Sequence, residues 1–290
     1  MRKILFLILV LHISKVSGQN KSYDYCYRTG PESFRLYSIA DKKDYPIIKS
    51  KRDISDAALS PDGKKVAYCF YPSRNARILI AIIDLNTDRK IVLNTQGTYC
   101  KEPVWSPDGK LIAYNTWNEK LKKWDIAIIN TDNKWCKVLT RGMPEIWGVS
   151  WTSDSKKIIA SDLDSVFFID FNGKVTNIYK TSDIAKTRWC KNFRLTADGK
   201  KFVFLHHVDE TVNSTGGSSA VFVYDMVTKK NFRVSPKGYN FTNVIIHNNT
   251  ILASGEKASN NPNSAVYAID LNGKNFKVFY ANAIDITVKN

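Results

Sequence analysis

Histidine is scarce in this chain, and the few histidines match no catalytic motif. The four are His12, His206, His207 and His247. His206 and His207 are neighbours in a β-rich run, so their side chains should point to opposite sides of a strand. No G-x-S-x-G nucleophile elbow occurs in the sequence. These features argue against an enzyme, and they predict neither a metal site nor a cofactor.

The sequence also lacks an apolar run long enough for a membrane helix, which needs about 20 residues. Its longest apolar run, residues 4–13, follows a positively charged start and precedes small residues up to Gly18. This arrangement is typical of a secretory signal peptide. We therefore expect residues 1–18 to be cleaved. Residues 19–290 should form one periplasmic or extracellular domain with no membrane span.

Cysteine is sparse and odd in number: Cys26, Cys69, Cys100, Cys136 and Cys190. Their spacing matches no metal or haem motif, so we expect most of them to be buried small apolar residues. Cys69 leaves one strand of the repeat described below towards the loop that carries Cys100. Cys69–Cys100 is therefore the one disulfide that the sequence suggests for an exported chain.

Acidic residues are outnumbered: 43 Lys and Arg against 27 Asp and Glu give a formal net charge of +16. This excess favours contact with anionic surfaces or glycans. Much of the lysine lies in pairs within turns, such as Lys64 and Lys65 or Lys200 and Lys201, as expected for solvated rims. No nucleic-acid-binding motif occurs, and nucleic acid is a poor partner for an exported protein.

The sequence does contain a repeat built on a turn tetrapeptide. Ser60-Pro61-Asp62-Gly63 recurs unchanged at 106–109 and in altered form at 152–155 and 196–199, with a degenerate copy at 246–249, so the steps are 46, 46, 44 and 50 residues. Proline, aspartate and glycine suit the successive positions of a tight turn. Four short β-rich runs accompany each copy. Four strands per repeat of about 45 residues are typical of a propeller blade.

Both ends of the chain carry incomplete repeats. Residues 23–49 contain three strand-like runs without a first one, and residues 283–288 contain a first run with nothing after it. Joining them makes a sixth blade and removes the free edges of an open array. The sequence therefore predicts an all-β, six-bladed β-propeller with four-stranded antiparallel blades, closed into a ring by strands from both termini.

The repeat resembles that of the TolB-like (WD40-like) propeller family. Residues 104–114 read VWSPDGKLIAY, close to the family core W-S-P-D-G-K-x-[IL]-A-[YF]; residues 59–68 match with leucine in place of tryptophan, and residues 151–160 match more loosely. The resemblance covers almost the whole chain after the signal peptide and implies the same fold. Oligogalacturonate lyases share repeats of this type, but their metal-binding histidine cluster has no visible counterpart here.

Strand polarity predicts two unlike faces of the ring. The tetrapeptides lie on one face, called here the tetrapeptide face. The loops that cross between blades lie on the other, called here the variable face, and function in such scaffolds concentrates on variable connections. The crossing loops should bring seven candidate binding residues to the mouth of the central channel: Tyr99, Lys101, Glu102, Trp147, Arg188, Trp189 and Lys191.

Two interpretations of these side chains remain open. The crossing-loop aromatics either fill the channel, since propeller cores need bulky side chains, or form a platform that stacks on sugars while the cations pair with acidic groups. We expect a monomeric, non-catalytic scaffold that binds an envelope or extracellular protein, or an envelope polymer, through its variable face. The alternative is an anionic-glycan-binding protein or polysaccharide lyase that uses the same residues.

Overall fold

The chain folds into short antiparallel strands. The computed structural model describes residues 21–30, 33–47, 54–73, 76–143, 146, 148–185, 189–213, 216–258 and 263–289. The predicted signal peptide, 1–18, lies outside these ranges. In chain order the strands are β1 (Tyr25–Gly30), β2 (Ser33–Ser38), β3 (Lys43–Pro46), β4 (Ile54–Leu59), β5 (Lys65–Phe70), β6 (Leu79–Asp84), β7 (Lys90–Val92), β8 (Cys100–Trp105), β9 (Leu111–Asn118), β10 (Lys123–Asn130), β11 (Cys136–Val138) and β12 (Val149–Trp151). They continue with β13 (Ile158–Ser161), β14 (Ser165–Ile169), β15 (Val175–Lys180), β16 (Cys190–Leu195), β17 (Lys201–Asn213), β18 (Gly216–Asp225), β19 (Lys230–Arg233), β20 (Tyr239–His247), β21 (Thr250–Lys257), β22 (Ser264–Asp270), β23 (Phe276–Ala281) and β24 (Ile284–Val288).

These strands form six four-stranded sheets, each of them one blade. Blades 1 to 5 each take four consecutive strands, from β4–β7 to β20–β23, and their first strands line a central channel. Blade 6 has the strand order β24-β1-β2-β3. The predicted six-bladed propeller, and its closure by strands from both termini, are thus confirmed. A short helix, α1 (Thr181–Ala185), lies between blades 3 and 4, and no helix in the described ranges is long and apolar enough to cross a membrane.

The ring is closed where β24 pairs with β1. Four residue pairs in antiparallel register, from Tyr25↔Val288 to Arg28↔Ile284, join the two ends of the chain. An ion pair between Arg28 Nη2 and Asp285 Oδ2, 2.7 Å apart, reinforces the pairing beside the channel. The C-terminal strand therefore supplies the innermost strand that the N-terminal segment lacks.

A tyrosine pair holds the closing blade against blade 5. The hydroxyls of Tyr27 and Tyr280 both donate to Asp44 Oδ1, at 2.7 and 2.6 Å. Tyr27 lies in β1 and Tyr280 in β23, so one carboxylate on β3 links two blades. Hydrogen bonds to a charged acceptor are stronger than neutral ones, so this contact also stabilises the closure of the ring.

The tetrapeptides form the tight turns that their residues predict. Ser60 Oγ donates to Asp62 Oδ1 at 2.6 Å, and Asp62 Oδ1 accepts the backbone N–H of Lys64 at 3.1 Å. Gly63 has a φ of 69°, in the left-handed region that glycine adopts without strain. The same hydroxyl–aspartate bond of 2.6 Å recurs at 106–108, 152–154 and 196–198. These repeated bonds confirm the turn interpretation of the motif.

Apolar seams between neighbouring blades form the core. The seam between blades 1 and 2 contains Cys69, Cys100 and Tyr114, each fully buried. All five cysteines are free thiols in this structure. Burial is the main cause that raises the pKa of the Cys69 thiol well above its usual range, and it also raises the pKa of Cys100. Such thiols are poor nucleophiles once the protein has folded.

The closing strand provides a test of how far stability depends on ring closure. Ile286 in β24 is 1% exposed and packs in the seam between blades 5 and 6. Ile286→Ala should lower the free energy of unfolding by about 2–5 kcal/mol, the usual cost of this truncation in a core. Urea denaturation followed by fluorescence measures the change.

Val278→Ala is the matched control, because Val278 lies on the outer strand β23 and is 57% exposed. Its effect should stay within about 0.5 kcal/mol. Equal losses in the two variants would show that β24 does not close the core.

The Cys69–Cys100 disulfide remains a prediction. Because both thiols are buried with raised pKa values, a bridge should form while the chain folds in an oxidising compartment, not afterwards. Non-reducing peptide mapping of exported protein should therefore detect a Cys69–Cys100 peptide. Reduced, folded protein incubated with oxidised glutathione should not acquire it. Alkylation of both cysteines in the exported protein would contradict the prediction.

Candidate functional site

The channel is ringed by residues that occupy one position of the repeat. Four residues ahead of each tetrapeptide stand Asp56, Glu102, Gly148, Asn192 and Thr242, and blade 6 contributes Asp285. The pairing of β4, β8, β16, β20 and β24 with their neighbours shifts register at this position. A bulge of this kind adds an unpaired residue and re-aims its side chain. We call these six residues the bulge ring.

Backbone conformation sets the bulge ring apart from the rest of each strand. Glu102, Asn192 and Asp285 have φ values of 53°, 56° and 54°, a region that costs a non-glycine residue about 1–3 kcal/mol. Gly148 has a φ of 100°, and a Cβ there would lie 2.9 Å from Asn192 Oδ1. The bulge position belongs to the repeat, whereas the residue at it varies, so blades 1, 2 and 6 present carboxyls to the channel and blades 3, 4 and 5 do not.

A cavity of about 470 Å³ opens at the variable-face mouth of the channel. It shares Glu102, Gly148, Asn192 and Thr242 with a second cavity of about 270 Å³ inside the channel, so the two are continuous. Gly148 has no side chain to separate them. The mouth is therefore a vestibule that leads directly to the bulge ring.

The structure brings four of the seven predicted binding residues together around this vestibule: Lys101, Glu102, Trp189 and Lys191. Tyr99 is 43% exposed but is not part of the wall. Trp147 and Arg188 lie outside the described residues. Trp189 is 58% exposed, so it borders the cavity without filling it, and the channel-filling interpretation does not apply to this residue.

Lys101 and Glu102 are held by neighbours in blades 1 and 2. Lys101 Nζ lies 4.1 Å from the centroid of the Trp124 ring, within the range of a cation–π contact. Glu102 Oε2 accepts a hydrogen bond from Asn115 Nδ2 at 2.9 Å, and the Glu102 backbone N–H donates to Asp56 Oδ2 at 3.1 Å. The basic and acidic groups of the vestibule are thus oriented before any ligand arrives, which reduces the ordering cost of binding.

Burial disfavours the charged form of two acidic groups in the bulge ring, Glu102 and Asp285. Glu102 is exposed to the water of the channel, yet protein encloses it, and this burial is the main cause that raises its pKa. Asp56 raises the pKa of Glu102 further, whereas Lys101 and Arg194 lower it. Burial likewise raises the pKa of Asp285, against the attraction of Arg28. Perturbed carboxyls in a cleft are typical of functional positions.

An extended hairpin forms one side of the vestibule. Strands β17 and β18 run for 13 and 10 residues, and they place His207 and Ser219 on the cavity wall. Arg233 fastens the hairpin by donating from Nη1 and Nη2 to the two carboxylate oxygens of Glu210. His206 lies on the other side of β17, with its ring against Phe222. As the strand alternation predicts, the two histidines do not act together.

Several residues of the site were not predicted as binding residues. Asn192, Thr242 and Asp285 belong to the bulge ring, and His207 and Ser219 reach the vestibule from the extended hairpin. The bulge ring does have a sequence signal, namely its constant spacing of four residues before the tetrapeptide. No group of three or more His, Cys, Asp or Glu side chains in the described part of the chain is arranged to hold a metal ion.

Solved structures share this architecture. TolB from Acinetobacter baumannii has a TM-score of 0.67 at 19% identity, over 91% of this chain and 64% of that one, so the chain spans about two thirds of its length. The putative TolB from Agrobacterium tumefaciens gives 0.65 at 15% identity, over 91% and 92% of the two chains. A chain of a nidogen–laminin complex gives 0.65 at 9% identity, over 93% and 99%. At these identities the likeness establishes the fold, which is the one that the TolB-like repeat implies.

No protein-family model and no curated protein matches the sequence.

The raised pKa of Glu102 predicts how a substitution changes stability. A carboxyl whose pKa is higher in the folded than in the unfolded chain stabilises the fold at a pH below its unfolded pKa, which is about 4.3 for glutamate. That stabilisation is lost as the pH rises through the folded pKa. Charged Glu102 therefore destabilises the fold at pH 7. Glu102→Gln should raise the Tm by a few degrees or less at pH 7, and the difference should shrink towards pH 4. Differential scanning calorimetry at both pH values measures it.

Glu119→Gln is the control for this substitution. Glu119 is exposed, and hydrogen bonds from Lys122 and Thr98 lower its pKa, so the charged form is favoured. Its substitution should leave the Tm unchanged or lower it. A Tm of Glu102→Gln below that of the wild type at pH 7 would contradict the account of the bulge ring.

Proposed function

We propose that this chain is an exported, non-catalytic β-propeller that binds an envelope or extracellular protein, or an envelope polymer, through the variable-face vestibule. The observation that carries the proposal is the exposed Trp189 beside Lys101, Glu102 and Lys191 on a cavity of about 470 Å³. Tryptophan is enriched among the residues that carry most of the binding energy at protein interfaces. The chain works in this proposal as a soluble monomer in the periplasm or outside the cell.

The construction of the vestibule supports binding. Lys101 rests on Trp124, Glu102 is fixed by Asn115, and the hairpin that carries His207 is fastened through Glu210 and Arg233. A surface that is oriented in advance needs little ordering when a partner docks. The bulge ring beneath it retains carboxyls with raised pKa values, a cost in stability that is typical of functional positions.

The propeller neighbours agree with a binding role. The structure at 9% identity belongs to a complex of nidogen with laminin. That statement concerns nidogen and laminin, and for this chain it supports only the idea that a closed propeller of this shape can serve protein recognition. Fold alone does not determine function, so the proposed binding function rests on the residues of the vestibule.

Anionic-glycan binding is the alternative that a specific observation favours. Lys101 and Lys191 lie on the same cavity as Trp189, and this combination suits a sugar ring stacked on indole with its acidic groups paired to ammonium groups. The net charge of +16 would attract such a polymer. In this alternative the protein binds an acidic polysaccharide or cleaves it as a lyase, with a lysine or arginine as the base.

The double variant Trp189→Ala/Lys191→Ala tests both forms of the proposal. It removes the exposed indole and one ammonium group and leaves the seams intact, so the Tm should stay within a few degrees of the wild type. Capture of a specific partner from an envelope extract should weaken by about 30-fold or more, the loss expected for an anchor worth about 2 kcal/mol. Quantitative pull-down, followed by biolayer interferometry with the identified partner, measures the change.

Lys134→Ala/Trp135→Ala is the matched control. It removes the same residue types from the opposite, tetrapeptide face, where Trp135 is 46% exposed. This control should bind like the wild type. If the double variant at the vestibule bound as well as the control, the vestibule would not be the binding site.

An anionic glycan array run beside the pull-down distinguishes binding of a protein partner from binding of an anionic glycan. Selective retention of one glycan class that survives moderate salt, and that the Trp189/Lys191 variant loses, would favour the glycan form. Retention that falls uniformly with salt across all acidic glycans would reflect net charge alone, because screening weakens exposed charge contacts without regard to structure.

A further inference from the structure

A second opening of the channel, on the tetrapeptide face, has a different character from the vestibule. It is a cavity of about 200 Å³ formed by the ends of the innermost strands and by two turn prolines. Its wall is mainly apolar and includes Leu59, Trp105, Trp151, Leu195, Ile246 and Val288, with Ser150 and Thr287 as its uncharged polar members. The prolines Pro61 and Pro107 place its entrance at the tetrapeptide turns.

Arg194 is the one charged residue among those that line this cavity. Its Nη1 donates to the backbone carbonyl of Phe193 at 3.1 Å, a carbonyl that also accepts the Ser150 hydroxyl at 3.0 Å. Within the described ranges this is the guanidinium's single protein hydrogen bond, and no carboxylate lies within 4.0 Å of it. Burial lowers the pKa of Arg194 to about 10, while Glu102 opposes that effect from a greater distance.

An enclosed guanidinium without an ion pair is an unusual feature. The group has five N–H donors, and the described residues accept a hydrogen bond from one of its nitrogens. A charge withdrawn from bulk water is costly unless a counter-charge pairs with it. A carboxylate meets this need best, because its two oxygens match the guanidinium fork in a bidentate pair.

The arrangement of charge along the channel determines from which end an anion reaches Arg194. On the side of the variable face stand the carboxyls of Asp56, Glu102 and Asp285, which repel an anion. On the side of the tetrapeptide face the wall is apolar and carries no acidic group among the cavity residues. A carboxylate attached to an apolar body therefore fits from the tetrapeptide face, with the body against the apolar wall.

We propose that the tetrapeptide-face cavity binds a small monocarboxylate with an apolar body, whose carboxylate pairs with Arg194 and whose body packs against Trp105 and Trp151. The cavity is below the roughly 300–1,000 Å³ of drug-sized sites, which limits the ligand to a compact aromatic or branched acid. This site lies at the opposite end of the channel from the vestibule, and Arg194 also lines the cavity of the bulge ring between the two.

Isothermal titration calorimetry with 3-phenylpropanoate as the probe tests the site in the full-length mature protein. The wild type should bind the acid, and it should bind the neutral 3-phenylpropanamide about tenfold more weakly or worse, because the amide cannot form the charge-assisted pair. Arg194→Met should lose binding of the acid by a similar factor. Arg194→Lys, which keeps the charge without the fork, should fall between the two.

Two measurements separate this role from a structural one. Because Arg194 is enclosed without an ion pair, Arg194→Met should not lower the Tm, whereas loss of a structural residue would. The Trp189→Ala/Lys191→Ala variant should bind the acid like the wild type. Loss of partner binding at the vestibule can therefore be told apart from loss of acid binding at the tetrapeptide-face cavity. Equal binding of acid and amide, unchanged binding by folded Arg194→Met, or no saturable binding of the acid by the wild type would each overturn the proposal.

Discussion

Strand β24 pairs with β1 along residues 25–28, and the whole ring depends on this one contact. The middle strands of each blade are buried on both faces against the neighbouring blades. A blade by itself would expose these faces, so its stability comes from the seams that closure completes. The Arg28–Asp285 ion pair stabilises this closure beside the channel, and the Tyr27–Asp44–Tyr280 contact links blades 5 and 6.

Closure also creates the channel, because it brings six innermost strands into one ring. In five of these strands a bulge points one side chain inwards, and blade 3 has Gly148 at the same position. The residues can differ because the ring only needs the backbone shape to repeat. The two ends of the resulting channel differ in the side chains that line them. Lys101, Lys191 and Trp189 stand at one mouth, carboxyls follow at the bulge ring, and Arg194 and an apolar wall form the other mouth.

Local patterns made the fold predictable from the sequence. The tetrapeptide identifies a turn because its hydroxyl, aspartate and glycine each satisfy a local requirement, and counting the copies and the incomplete ends gives six blades. The site was predicted only in part. Tyr99 and Trp189 occupy the same position of the repeat, yet a backbone bridge to Ile78 holds Tyr99 at the blade 1–2 crossing. Arg194 was missed because its significance depends on which side chains six distant strands bring near it.

Hydrogen exchange of the protein in complex with its captured partner tests the central claim, that the variable-face vestibule is the recognition surface, most directly. A partner docked at the vestibule should protect the start of β8, residues 189–192 and the β17–β18 hairpin, and should leave the tetrapeptide turns and the outer strands unchanged. Protection confined to the outer strands or to the tetrapeptide turns, with the vestibule exchanging as in the free protein, would contradict it.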